Sequence, residues 1–330
     1  MTDTADTSRR ARLNAVKLAA LVRDHLGDTE AAPEQAPFPG GAALRLGSTA
    51  WVLADEAPHK VLGGALGWAI RAGADRLCLV AEASTGLLAR RAASLSFPVE
   101  VFHADGRVLL PAVAEPLTAE PTVSDEHRMF EPVISAAGAD VVHEHGVVAG
   151  EVDGLEVCRV VDDPATDSTR LEVGVGAHDR EAFLMLHGGR PTAEALAEVV
   201  EIVRGHRRGD VQGHPLSRLA GERLLRARLV TDPGLVGASA GRAVSPPVPR
   251  TSLKDATPCA AVATVEGVEV ALVCSVGIDL DVIPFTVDLL SSTGLGSALV
   301  VVPQRDAIDL QHRLAALVTR PVRILAVPVA

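Results

Sequence analysis

At 330 residues the chain is long enough for two domains, or one large duplicated one, each with its own core. Its 48% hydrophobic and 22% charged residues are a globular composition, and a net charge of −11 excludes wrapping of nucleic acid by the surface as a whole. Two Trp, six Phe and no Tyr are too few for a base-stacking platform, so the core must be built from Val, Leu and Ala. Residues 9–26 then carry Leu13, Val16, Leu18, Leu21, Val22 and Leu26 at helical spacing. A Pro/Gly-rich connector follows at 31–41. Next come strands near 43–46 and 50–54, a helix over 58–72, a strand at 76–81, a helix over 85–95 and a strand at 98–102. Residues 103–113 read as a turn and a short strand, and 115–123 as a second connector.

The middle third has another rhythm. A helix is expected at 125–137, then strands near 140–149, 155–161 and 170–175, with a polar hairpin loop at 162–168. Helices over 179–187, 192–207 and 215–229 come next, the last rich in arginine. Residues 234–257, with SPPVPR at their centre, read as a linker. The closing strand is expected at 321–329.

Residues 43–102 and 263–325 look like two copies of one unit. Shifting 73–102 by 223 positions onto 296–325 aligns thirty residues without a gap. Seven are identical: Gly73/Gly296, Leu87/Leu310, Arg90/Arg313, Ala92/Ala315, Ala93/Ala316, Pro98/Pro321 and Val99/Val322. Each copy reads as two short strands around a Gly turn, then helix, strand, helix, strand. The expected class is therefore α/β: mixed, largely parallel sheets flanked by helices, duplicated around a middle α+β region. Domain boundaries follow at 1–114, 124–230, a linker at 231–257, and 258–330. Leu77, Leu79, Val99 and Val101 should be buried, as should Val300, Val302, Val322 and Ile324, because strands covered on both faces are apolar throughout.

The opening residues are polar and acidic, and no apolar run is long enough to span a membrane, so the expectation is a cytoplasmic protein without a membrane segment. Cys78, Cys158, Cys259 and Cys274 lack metal-ligand spacing and imply no disulfide framework. Gly174-Val175-Gly176 and Gly188-Gly189 lack the spacing of a dinucleotide fingerprint or a P-loop, so no cofactor is expected.

The run LGGALGWAIRAGADRLCLVAEASTGLLARRAASLSFPVEVFHADGRVLL, residues 62–110, resembles the Mrr-type branch of the PD-(D/E)xK restriction-endonuclease-like superfamily. Gly73-Ala74-Asp75, the strand Leu77–Ala81 and Asp105-Gly106 stand where that family has a helix-ending turn, a buried strand and an Asp-Gly turn. The resemblance implies a nuclease fold, with a strand ending in a carboxylate, a spacer and a lysine. Leu53, Ala54 and Asp55 stand there in the first copy, and Val273, Cys274 and Ser275 in the second, so the catalytic motif is not retained. Only Lys17, Lys60 and Lys254 occur, against 28 arginines, and arginine cannot shed a proton as a tuned lysine can.

Glu151-Val152-Asp153 before Leu171-Glu172-Val173-Gly174 resembles the family's GEVD…(V/L)EVK arrangement, with Gly174 in place of the lysine. It makes Glu151, Asp153 and Glu172 the candidate catalytic and metal-binding carboxylates, with Mg²⁺ the implied ion. A half-buried hairpin with solvent-facing acids is the alternative. His143-Glu144-His145 could offer two imidazoles to a metal, or be an exposed strand end. His178-Asp179-Arg180-Glu181 reads as a helix start. Between 204 and 228, Arg204, Arg207, Arg208, Arg218, Arg223, Arg226 and Arg228 stand against Asp210 and Glu222, a local excess of +5. That patch could contact DNA or RNA phosphates, or its arginines could pair with the acidic middle hairpin.

Three functions remain open on this reading. The first is a non-catalytic or decayed nuclease-fold protein that binds nucleic acid or a protein partner. The second is a divalent-metal-dependent nuclease using the three carboxylates. The third is a scaffold whose duplicated lobes bind protein or form a homodimer.

Overall fold

The computed structural model describes residues 2–27, 32–163, 167–187, 191–207, 214–250, 252 and 255–328. The chain divides into two units that cut across the boundaries drawn from sequence. Unit 1 is 1–117 with 279–288 and 308–323, and unit 2 is 118–278 with 289–307 and 324–330.

Unit 1 opens with α1 (Thr2–Leu26), then β1 (Glu34–Phe38), β2 (Gly41–Leu46) and β3 (Thr49–Ala54). A 3₁₀ turn at Pro58–Lys60 precedes α2 (Leu62–Arg71), β4 (Arg76–Ala81), α3 (Thr85–Ala92), β5 (Val99–Asp105) and β6 (Val108–Pro111). The six strands lie in chain order in one sheet, with β3–β4 and β4–β5 parallel and the other pairs antiparallel. Leu18, Leu21 and Val22 of α1 pack on Leu44, Trp51, Leu53, Val80 and Phe102, whereas Leu13, Val16 and Leu26, expected on the same apolar spacing, are exposed. The stretch expected as a connector at 31–41 contains β1. Its Pro37 is tolerated because β1 is an edge strand paired on one side only.

In unit 2 the expected helix at 125–137 breaks at Met129–Phe130 into α4 (Asp125–Arg128) and α5 (Glu131–Ala136), because Pro132 has no N–H to bond the Arg128 carbonyl four residues back and fits instead in the first turn of a new helix. The single strand expected at 140–149 is a hairpin, β7 (Asp140–Glu144) and β8 (Val147–Val152), followed by β9 (Leu155–Asp163) and β10 (Ser168–Val173). His145-Gly146 and Asp153-Gly154 form its two tight turns with both φ angles positive, the mirror-image turn geometry that matches strand twist. This sheet has the order β10-β9-β8-β7, and α6 (Ala177–His187) and α7 (Thr192–Arg207) follow it. The helix expected over 215–229 divides into α8 (Pro215–Arg218) and α9 (Gly221–Thr231), with Ala220 left-handed between them.

Residues 234–257, expected as a linker, contain β11 (Ala240–Val244). It pairs antiparallel with β12 (Cys259–Val265), which pairs antiparallel with β13 (Val268–Cys274). Then come α10 (Val282–Thr293), β14 (Ala298–Pro303), α11 (Asp309–Ala315) and β15 (Val322–Val327). This sheet also runs in chain order, β11 to β15, and β13–β14 are parallel. Strand order matches β1–β5 of the first sheet, as does the sense of these three pairings, while β6 has no counterpart among the described strands. Leu77, Leu79, Val101, Val300, Val302 and Ile324 are buried, while Val99 and Val322, equivalent under the 223-residue shift, are both half-buried at their strand starts.

Candidate functional site

The candidate carboxylates all lie in unit 2, but the hairpins separate them. Glu151 sits near the end of β8, where a bulge shifts the β8–β9 register and sets Glu151 opposite Glu156. Glu172 lies on β10, with β9 between it and Glu151. Two strand spacings amount to roughly 9–10 Å, whereas a hard divalent cation holds its oxygens at about 2.0–2.6 Å. Asp153 is not on a strand at all. It is exposed at the left-handed first position of the β8–β9 turn, φ 47°. Among the described residues no group of three or more His, Cys, Asp or Glu could hold a metal ion, so the expected carboxylate triad does not assemble.

Arginines already occupy these acids. Arg223 and Arg226 are one turn apart on α9, and each bonds to both Glu144 and Glu151. Arg226 reaches Glu144 at 2.6 Å and Glu151 at 2.7 Å. The result is a closed ring of two carboxylates and two guanidiniums. All four side chains are buried or nearly so, and Arg226 is 1% exposed. Burial alone would push the Glu151 carboxyl up, but Arg226 and Arg223 overcome it and hold it down to about 2. Burial likewise opposes the charge on Arg226, and Glu151 and Glu144 more than restore it.

The neighbouring acids are spent in the same way. Glu156 accepts from Arg159 at 2.7 Å and from Arg180 at 2.7 Å. Burial pushes its carboxyl up, but the hydrogen bonds and charge of Arg159, with the charge of Arg180, together bring it below the ordinary value. Glu172 accepts from Arg170 at 2.8 Å, and Arg170 also holds Asp163 at 2.6 Å. Two facing buried glutamates would repel, and the pair of arginines on each makes the arrangement tolerable.

The candidate phosphate-binding arginines are spread over different tasks. Arg207 is buried, and its guanidinium donates to the carbonyls of Leu216, Leu219 and Asp153. Arg204 donates to Gly138 O at 2.7 Å and pairs with Glu201. Arg223 and Arg226 belong to the ring, Arg218 is exposed, and Arg228 is half-buried. Arg208 lies outside the described residues. Among the described residues, Arg207, Arg223 and Arg226 are buried in these contacts and so do not join Arg218 on an open face.

The histidine motif disperses too. His143 meets Glu131 at 2.9 Å, Glu144 joins the ring, and His145 occupies a left-handed turn position where its N–H donates to Ser245 Oγ. Asp179, in the first turn of α6, reaches back to accept the Val175 N–H at 2.7 Å from the chain ahead of the helix, and its charge stands at the positive end of the helix dipole as expected of that segment. Cys78, Cys158, Cys259 and Cys274 are all free and buried, and burial pushes the Cys78 and Cys158 thiols up to about 12. No described helix is long and apolar enough to cross a membrane.

Sequence reasoning missed Glu144, Glu156, Arg159 and Arg180 as members of this network. The ring is the pairing of the arginine-rich helix with the acidic hairpin that the sequence held as the alternative for this patch, and the spacing of Arg223 and Arg226 puts both guanidiniums on one side of a helix whose neighbours are leucines. No family model, curated protein or solved structure matches this chain.

Proposed function

We propose that the chain is a non-catalytic α/β scaffold that binds a protein partner, its restriction-endonuclease-like resemblance marking descent rather than chemistry. The observation that carries this reading is the ring of Glu144, Glu151, Arg223 and Arg226, in which the best candidate metal ligand and two candidate phosphate-binding arginines neutralise each other. A metal would have to displace two guanidiniums from Glu151, and a phosphate would have to pull Arg226 out of a buried site. Neither the nuclease reading, with Mg²⁺ on Glu151, Asp153 and Glu172, nor binding of DNA or RNA through the arginines draws support from that geometry.

The test uses the purified full chain with labelled duplex DNA, single-stranded DNA and RNA, with and without Mg²⁺ or Mn²⁺. No cleavage is expected, and no binding whose logarithm falls steeply with the logarithm of salt concentration. Metal-dependent cleavage lost in Glu172→Gln would restore the nuclease reading. Salt-dependent binding weakened in Arg218→Ala/Arg228→Ala would restore the nucleic-acid reading.

A further inference from the structure

Unit 1 is completed by two segments from much later in the chain, 279–288 and 308–323. They carry the start of α10 and the whole of α11, the counterparts of α2 and α3 in element order. Where the two copies meet inside unit 1, the contacts are reciprocal. Leu95 forms an antiparallel bridge with Val318, which is its own equivalent under the 223-residue shift. The Ser96 N–H donates to Leu317 O at 2.7 Å, and the Thr319 N–H donates to Ser94 O at 2.9 Å. Thr319 is the equivalent of Ser96, and Leu317 the equivalent of Ser94.

The side chains repeat the pattern. Ser96 Oγ donates to Leu317 O at 3.0 Å, and Thr319 Oγ1 donates to Ser94 O at 3.1 Å. The helices follow the same rule: α3 meets α10 through Arg90 and Arg91 on Asp288, and α11 packs on α2. Residue i touching j while the equivalent of j touches the equivalent of i is the signature of an isologous two-fold interface. Unrelated segments packed together have no reason to produce four hydrogen bonds related by one shift.

From this we infer that the seam is a homodimer interface folded into a single polypeptide, and that the partner it fits is a second copy of this chain. Two chains would exchange their 279–288 and 308–323 segments, so that each first lobe takes the other chain's α10 start and α11. Within one chain the tether favours the internal contact, because linked modules see each other at effective concentrations up to about the millimolar range. Exchange should therefore appear when chains refold together at high concentration, and it should persist on dilution because reversal requires unit 1 to open.

The test uses full-length chains. The Leu95–Val318 pair is a non-hydrogen-bonded antiparallel pair, whose Cα atoms lie about 4.5 Å apart, inside the roughly 4.4–6.8 Å span a disulfide accepts. The double variant Leu95→Cys/Val318→Cys should close an intrachain cross-link on mild oxidation, and failure to close it would refute the seam. The single variants L95C and V318C are then unfolded together, refolded together and oxidised. An interchain cross-link between the two, mapped by peptide mass, is expected to grow with refolding concentration and to be missing when each is folded before mixing. If the double variant closes its link while the co-refolded mixture never forms one, exchange is wrong. Wild type refolded over the same concentration range gives a readout free of substitutions. Sedimentation showing only monomer throughout would overturn the inference.

Discussion

Replacing Arg226 by leucine removes two charge-assisted bonds, at 2.6 and 2.7 Å, from carboxylates whose side chains are 11% and 4% exposed. Glu144 and Glu151 would then share Arg223 alone, leaving one buried negative charge without a partner. Hydrogen bonds to charged groups contribute about 1.5–3 kcal/mol each, and breaking a buried ion pair from one side costs about 3–5 kcal/mol. The two figures overlap, so Arg226→Leu is expected to lose about 3–5 kcal/mol, a large share of the roughly 5–15 kcal/mol that folded proteins possess. Urea unfolding followed by circular dichroism at neutral pH measures this directly. The double variant Arg226→Leu/Glu151→Leu restores charge balance by leaving Glu144 with Arg223, and should cost less than Arg226→Leu alone.

The same ring has a pH signature. The Glu151 carboxyl is lowered from 4.5 to about 2, so its contribution is complete above about 4.5 and is lost as pH falls toward 2. At about 1.4 kcal/mol per unit the difference is on the order of 3 kcal/mol, in line with the mutational figure. Glu151→Gln should therefore be most destabilising near neutrality and approach wild type as the pH nears 2. A loss under about 1 kcal/mol for Arg226→Leu would refute the buried ring, because a solvent-screened pair costs about that much.

Asp281 behaves in the opposite sense. Burial pushes its carboxyl up to about 7 against the Gly63 N–H that bonds it at 3.0 Å, with Asp279 adding to the rise. Its folded-state value lies above the ordinary 3.8, so wild type loses stability as pH rises from about 4 through about 7. Asp281→Asn, which keeps an acceptor for Gly63, should then be more stable than wild type at pH 8 and indistinguishable at pH 3, and a pH-independent difference in thermal melts would contradict this. Gly154→Ala should destabilise by well over the roughly 1 kcal/mol of a strained turn, since a Cβ at φ 74° would sit 2.2 Å from Arg223 O. Near-wild-type unfolding of that variant would mean α9 does not press on the β8–β9 turn.

The parts of the fold that could be read in advance are those where one short segment contains its own reason. Leu77–Ala81 and Leu299–Val302 are continuous apolar runs between turn residues, and they become the buried strands β4 and β14. The short hairpins were harder. Asp153-Gly154 is a strong two-residue turn signal, and the gap left between strands at 149 and 155 contains it, although β8 runs on to Val152. His145-Gly146 carries no such signal, so two strands looked like one. The helix break at Met129–Phe130 had a local cause in Pro132, whereas the one at Leu219–Ala220 falls inside helical periodicity at a left-handed alanine that carries no turn signal. The ion ring was the least legible feature. Its members are 70 or more positions apart across the α9 to β7–β8 contact, and charge counts along the chain cannot say which acid faces which arginine.

That contact also explains why so costly a device sits at α9. One side of the helix is apolar: Leu225 and Leu229 pack with Cys259, Ala261 and Leu272 of β12 and β13, and Cys259 Sγ donates to Glu222 O at 3.1 Å. Apolar packing of small side chains such as alanine and cysteine tolerates sliding and rotation, because neighbouring registers bury similar area. The other side presents Arg223 and Arg226 to Glu144 and Glu151, and only one position of the helix lets all four contacts form at once. Buried ions add little net stability over a well-packed apolar replacement, but they penalise every arrangement that leaves one of them unpaired. The ring would then act as a register lock between the helix and the β7–β8 hairpin, rather than as a source of stability. The double variant Arg226→Leu/Glu151→Leu separates the two roles. Small loss of stability with broadened or doubled NMR signals from α9 supports the lock, while small loss with a single sharp set of signals shows that the apolar face alone fixes the helix.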